Sequence, residues 1–339
     1  MQYQEIGLAG KKYIILPVAE YAKIYPFKSE KIIDPYFHLD FYKIKNCFSM
    51  GNKAQLLIPI FKKTEIIKVF AESFTFPPSL KDLKIILANN FIDQETVTLD
   101  EAVSLYHVYS NNFWHWIIEC LPKVIVLERL GYQGPYITHN SQFINEIFQL
   151  FSIKEDRIFY TDKNYIIQNA IISPNYNYFY TFKHTEILKL LRHCILERIK
   201  HLPGSSRKYI KRIKSRLIVN SEEVEAILKN YDFEIIVPEE YSVAKQLSLM
   251  TNVDYSVMAH GANAALTLTQ KKCSDFMEFF SSAYVVYHTT GIQDMLHLKY
   301  HPLVEFRNKP VVLDSYHNAQ FCNITVPIDQ FEVLLKNSI

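Results

Sequence analysis

The clearest pattern lies in the second half of the chain, where short runs of β-branched and aromatic residues alternate with runs of helical period. Residues 217–220, 233–237, 255–259 and 275–280 read as strands, and 221–229 and 242–250 as helices between them. Such alternation predicts βαβ units in a parallel sheet with right-handed crossovers. Ser221 followed by Glu222 and Glu223 reads as an N-cap with an acidic first turn, and Ser242 as a second cap. In the first half, a strand near residues 102–108 leads into a long helical pattern over 113–129 that stops at Gly131. A strand at 135–138, a helix over 141–151, strands at 157–160 and 165–172 and a helix over 186–199 follow. Residues 1–100 carry strand-like pieces broken by prolines.

A breaker cluster, Lys200-His-Leu-Pro-Gly-Ser-Ser, separates the last of these helices from the second half and predicts the domain joint. The expected organisation is an α/β domain over 1–200 and a second, Rossmann-like domain over 201–325. A terminal helix within 326–339 is expected to cross back to the first domain. A length of 339 residues fits two domains, and 49% hydrophobic with 14% aromatic residues supplies both cores. The formal charge of +2, from 37 basic and 35 acidic residues, leaves no global field that would drive the chain onto nucleic acid or anionic lipid. Five scattered cysteines without a C-x-x-C pair suit a reducing compartment and no structural zinc. The opening residues lack the basic and apolar regions of a signal peptide, and no apolar stretch approaches the ~20 residues that span a bilayer. The expectation is a cytoplasmic protein, with peripheral association at the inner face of the membrane left open.

Candidate chemistry gathers first where strands should end. His260 and Glu278 each close an apolar run, and the carboxyl edge of a parallel sheet is where ligands bind. Gly261 lets a ligand approach the backbone, and the free N–H groups of the helix start behind it attract phosphate. His260 is able to hydrogen-bond a phosphate or a sugar hydroxyl. The plain alternative is a tight turn capped by His260 and Asn263. Glu278 sits among Phe276, Met277, Phe279 and Phe280, so a buried carboxylate there requires a partner or a ligand such as vicinal ribose or sugar hydroxyls. A solvated strand edge is the alternative.

Two further groupings stand out. Residues 198–216 hold eight basic side chains and no acidic one. A solvated linker is the default reading of such a run, with nucleic acid, an anionic surface or a diphosphate as the functional ones. Arg212 and Arg216 lie directly before the strand expected to end at Asn220, and a guanidinium pair clamps a diphosphate well. In Asn112-Phe-Trp-His-Trp-Ile-Ile-Glu-Cys-Leu-Pro122, His115 and Glu119 are four apart and share a helix face. They suit a base with its orienting carboxylate, or a grip on one hydroxyl, and Trp114 and Trp116 offer aromatic faces to a sugar. The alternative is an amphipathic core helix with an N-cap at Asn111 or Asn112. No P-loop, dinucleotide fingerprint, hydrolase elbow or D-x-D pair is present.

Taken in order, N-x-x-H-W-x-x-E-x-L-P at residues 112–122, R-x-x-x-R-x-x-x-N-x-E at 212–222, and H-G-A at 260–262 followed by the Glu278 strand resemble glycosyltransferase family 61. The family includes capsule and lipopolysaccharide enzymes. The resemblance implies an α/β, GT-B-like fold, two Rossmann-type domains facing a cleft, and sugar transfer with inversion and no obligatory metal or other cofactor. It implies a nucleotide-sugar donor, a UDP-sugar first among them, held by Arg212, Arg216, Asn220, Gln246, His260, Gly261, Ala262, Asn263 and Glu278. It also implies a glycan or lipid-linked glycan acceptor near Asn112, Trp114 and Trp116, and no nucleic acid. Glu119 is the expected base and His115 its companion, because an ordinary glutamate is ionised at neutral pH. One position departs from the family pattern: Leu266 stands where an Asn is common. The rivals are a non-catalytic nucleotide- or polyanion-binding protein using residues 198–216, and a nucleotide-sugar epimerase on the same type of sheet.

Overall fold

A computed structural model of the chain describes strand segments 4–8, 11–17, 29–33, 40–49, 57–59 and 65–70, together with residues 96–105, 109–173, 185–286, 288–305 and 321–339. It is of the α/β class and divides into two compact units, Met1–Asn177 and Tyr178–Ile339.

The N-terminal unit is built on a mixed sheet. Its strands are β1 (Gln4–Leu8), β2 (Lys11–Pro17), β3 (Ser29–Ile33), β4 (Asp40–Ser49), β5 (Leu57–Pro59), β6 (Glu65–Phe70), β7 (Thr96–Ser104), β8 (Tyr136–Thr138), β9 (Ile158–Tyr160) and β10 (Asn164–Ile172). The order is β1-β2-β6-β5-β4-β10-β7-β8-β9, with β3 also pairing with β4. Strands β10, β7, β8 and β9 run parallel, and β4 joins β10 antiparallel. Their shared core includes Ile44, Cys47, Ala102, Ile137, Ile167 and Ala170. Helix α1 (Leu121–Arg129) ends as expected at Gly131, whose positive φ of 82° lets Gly131 and Tyr132 turn their N–H groups back onto Glu128 and Leu127. Helix α2 (Gln142–Leu150) buries Ile144, Ile147 and Phe148. From β7 the chain moves to β8 on one side and later returns to β10 on the other. The loop leaving β7 therefore opens at a topological switch point. Part of the strand expected at 102–108 lies outside the described residues, as do Pro26 and Pro35, whereas Pro17 and Pro59 are the last residues of β2 and β5.

The C-terminal unit is a Rossmann-like sheet, all parallel. Its strands β11 (Arg207–Ile210), β12 (Glu234–Ile236), β13 (Tyr255–Ala259), β14 (Asp275–Phe280) and β15 (Lys299–Val304) run in the order β12-β11-β13-β14-β15. The helices are α3 (Thr185–Leu196), α4 (Ser221–Asn230), α5 (Val243–Met250), α6 (Thr290–Leu296) and α7 (Ile328–Ser338). Four expectations change here. The first strand is Arg207–Ile210, inside the basic run, whereas residues 217–220 make a single bridge, Ile218 to Ile324. Lys208 can occupy a central strand, only 2% exposed, because its ammonium pairs with Glu234 on the neighbouring strand. The units part before α3 and not at Lys200, since α3 buries Ile187, Leu188, Leu190, Leu191, Cys194 and Ile195 and packs on α6, and Arg192 caps the carbonyl of Leu268. The terminal helix does not leave its own unit: Phe331 and Leu335 enter the core with Val257, Phe279 and Val224. Glu278, finally, lies inside β14, two residues short of its end.

Candidate active site

In the N-terminal unit the loop after β7 ends at Asn112, whose side-chain oxygen accepts from the N–H groups of Trp114 and His115 at 3.0 and 3.5 Å. This cap starts one α-helical turn, Phe113–His115, which widens into a π-helical stretch, Trp116–Cys120, before α1 begins. Pro122 accounts for the widening. It has no N–H for the carbonyl four residues back, and its ring crowds that carbonyl. Leu121 instead donates to Trp116, five residues back. Across the wide turn His115 Nδ1 and Glu119 Oε1 are 2.8 Å apart, the imidazole 17% exposed and the carboxylate 5%. Tyr109, half exposed, stacks on the imidazole at 5.0 Å. The ring plane is thus set by Tyr109 and one nitrogen by Glu119. Trp116, expected to meet a sugar, is fully buried: its indole N–H donates to Thr138 and its ring packs edge-on against Phe148. Trp114 is also buried. The Trp116 indole belongs to the helix–sheet core, and among the described residues Tyr109 is an exposed aromatic of this edge.

In the C-terminal unit the chain leaves β11 for β12 on one side and reaches β13 on the other, so the loops after β11 and β13 flank a crevice. The first loop carries Arg212 and Arg216, the second His260 and Gly261. Arg212 donates through Nε and Nη2 to the backbone and hydroxyl oxygens of Ser215, at 2.8 and 3.0 Å, while its buried Nη1 has no hydrogen-bond partner. Arg216, at a left-handed φ of 54°, donates Nη1 to the carbonyl of His260 at 2.9 Å and lies over the Tyr284 ring. Gly261 has φ 153°, and a Cβ there would lie 2.0 Å from Arg212 Nη1 and 3.0 Å from Arg216 Nη1. Only glycine lets both guanidiniums crowd this turn. Burial first, and Arg216 second, push the Arg212 guanidinium down to about 10, which leaves it charged at neutral pH. Burial lowers Arg216 as well. Two half-buried cations beside one unpartnered donor form a site for an anion.

His260 lies just below. Its Nδ1 is 2.7 Å from Glu278 Oε1, and the two side chains are 3% and 0% exposed. The other carboxylate oxygen accepts from Tyr300 at 2.8 Å and from Thr289 at 3.5 Å. The imidazole stacks on Phe280 and on His288. The buried-carboxylate reading of Glu278 holds and the solvated-edge alternative does not. Its partners, however, are the protein's own donors, so it holds His260 and presents no oxygen to sugar hydroxyls.

The model of the family described as Glycosyltransferase 61 matches residues 113–291, a span that runs from the His115 turn through Arg212, Arg216 and His260 to beyond Glu278. The chain belongs to glycosyltransferase family 61. No curated protein matches it. Membership makes it a sugar-transferring enzyme, and the other expected positions are judged against that activity. Asn220 is occupied elsewhere, since its amide exchanges two hydrogen bonds, of 2.9 and 3.0 Å, with the backbone of Val326 and clasps the C-terminal segment. Gln246 closes the start of α5 through the carbonyl of Tyr241. Ala262 and Asn263 open a short 3₁₀ helix, Ala262–Thr269, in place of the α-helix expected there. Leu266, where this family-61 chain departs from the usual Asn, points into the core. The basic run is largely satisfied within the protein: Arg198 by the Cys194 carbonyl, Arg207 by that of Tyr231, Lys208 by Glu234 and Lys211 by Glu225. Sequence reasoning missed Tyr109, Ser215, Tyr284, Thr289 and Tyr300. Each is a common residue in a loop or a strand whose only signal is three-dimensional. No helix among the described residues is long and apolar enough to cross a membrane.

Proposed function

We propose that the chain transfers a sugar from a nucleoside-diphosphate sugar to a hydroxyl of a glycan or lipid-linked glycan, inverting the anomeric carbon. The C-terminal unit holds the donor and the N-terminal unit supplies the base. The observation that carries this reading is the unpartnered Arg212 Nη1 beside Arg216 at Gly261. A donor diphosphate there accepts from Arg212 and is neutralised by both guanidiniums. As the bond from the anomeric carbon to the phosphate oxygen breaks, the electron pair leaves with the diphosphate, and the same two cations stabilise it. They supply the charge that a divalent ion would otherwise carry, which is the basis for proposing a metal-independent reaction.

The acceptor oxygen forms the new bond from the opposite side, and its proton passes to His115. Between the two, we favour His115 over the Glu119 expected from sequence: Glu119 is the more enclosed partner and holds Nδ1, and the imidazole is the more exposed group, so His115 takes the proton with Glu119 orienting the ring. A bacterial capsular or lipopolysaccharide acceptor is supported by the family resemblance alone. The test is transfer assayed with a panel of UDP-, GDP- and CMP-sugars, alongside UDP binding by calorimetry. His115→Ala should lower kcat by about 10²–10⁴ with UDP affinity intact. Near-normal turnover of that variant rules His115 out as base, and absence of nucleotide binding by the unsubstituted protein removes the donor assignment.

A further inference from the structure

Beneath the anion site lies a chain of hydrogen bonds that runs outward from the sheet interior. Gln293 Nε2 donates to Thr289 Oγ1 at 2.5 Å, Thr289 approaches Glu278 Oε2 at 3.5 Å, Tyr300 donates to the same oxygen at 2.8 Å, and Glu278 Oε1 meets His260 Nδ1 at 2.7 Å. An ionised carboxylate only accepts, and each of these groups is able to donate to it. Nδ1 of His260 is therefore the donor to Glu278, and the ring presents Nε2 at its other edge. Phe280 and His288 stack on the ring and restrict its rotation.

We infer that Tyr300 is a positioning residue for donor binding: its hydroxyl fixes the buried Glu278 carboxylate, which in turn keeps the His260 imidazole oriented for the donor diphosphate. The inference rests on the donor-side reading above. Tyr300 lies on β15, beyond the residues matched by the family model, and is reached only through the sheet. Among the described residues, the charged and titratable groups against His260 are Glu278 from β14, Arg216 on its backbone carbonyl, and the rings of Tyr284 and His288 from the loop after β14. Without the Tyr300 hydroxyl, Oε2 keeps only the long Thr289 contact. The carboxylate is then held less firmly in place and its hold on Nδ1 loosens.

The measurement is the affinity of the whole chain for UDP by calorimetry in the unsubstituted protein, Tyr300→Phe, His260→Gln and the double variant. Phenylalanine keeps the ring and removes one oxygen. His260→Gln should bind UDP weakly, and Tyr300→Phe should bind it about tenfold more weakly than the unsubstituted protein, with no further loss when it is added to His260→Gln, because the hydroxyl acts through the imidazole. A role in packing alone would cost the same affinity in both backgrounds. That result, or unchanged UDP binding by Tyr300→Phe or by His260→Gln, overturns the inference while the donor assignment at Arg212 stands. Absence of UDP binding by the unsubstituted protein removes the donor assignment.

Discussion

At the scale of the single residue, Gly261 and Arg212 are coupled in opposite senses. An added Cβ at Gly261 would stand 2.0 Å from Arg212 Nη1, so Gly261→Ala must push the guanidinium out of the turn as well as strain the backbone. UDP affinity should fall by at least tenfold in calorimetry, with a loss of stability on the order of 1 kcal/mol or more. Arg212→Met is expected to behave differently. It removes a half-buried, incompletely bonded cation and keeps the bulk, so the ligand-free protein should melt at the same temperature or higher while UDP no longer raises it. A lower melting temperature with UDP stabilisation intact would show that the guanidinium serves the fold. The H-G-A turn and the two arginines were legible as residue types at the end of a strand. That Glu278 would be taken by Tyr300 and Thr289 was not, because those hydroxyls come from segments with no motif and meet the carboxylate only when β14 and β15 pair.

At the scale of the element, the helix that carries His115 is shaped by a cap at one end and a proline in the middle. Asn112→Ala should cost about 1 kcal/mol, as the loss of an N-cap does, and should cost turnover as well, because the capped turn contains His115. Pro122→Ala restores an N–H that the carbonyl of Ile118 can accept and favours a return from π to α geometry. The expected result is a melting temperature equal to or above that of the unsubstituted protein, with kcat reduced severalfold and UDP affinity unchanged. Full activity would separate the π stretch from the chemistry. Helical period and the stop at Gly131 made this helix readable from sequence. The misread element was β11, because Arg207 and Lys208 disguise a central strand; the signal that a buried lysine has a partner, Glu234, lies a full βα unit away.

At the scale of the whole molecule, each unit presents its chemistry at a switch point of its own sheet, and the joint between them was placed too late because a Pro-Gly-Ser cluster resembles a linker. That cluster is a loop within the second unit, ahead of its first strand, and α3 before it is committed to that unit by its buried face and by Arg192. The division of labour makes a prediction that neither smaller scale contains. If the donor is held by the C-terminal unit alone, saturating UDP should slow amide exchange in the segments around 211–217 and 260–264 and leave the helix start at 112–120 unchanged in the absence of acceptor. At a hundredfold excess over Kd the stabilisation of that unit is about 2.7 kcal/mol, enough to slow exchange through global opening of the C-terminal unit by roughly a factor of a hundred. Because Asn220 ties the start of α4 to Val326, protection should spread to the C-terminal segment from Asn323 through α7, whose helix shares the sheet core. Equal protection of the His115 turn would mean that the N-terminal unit also grips the nucleotide, and the base would then have to be sought away from His115 and Glu119.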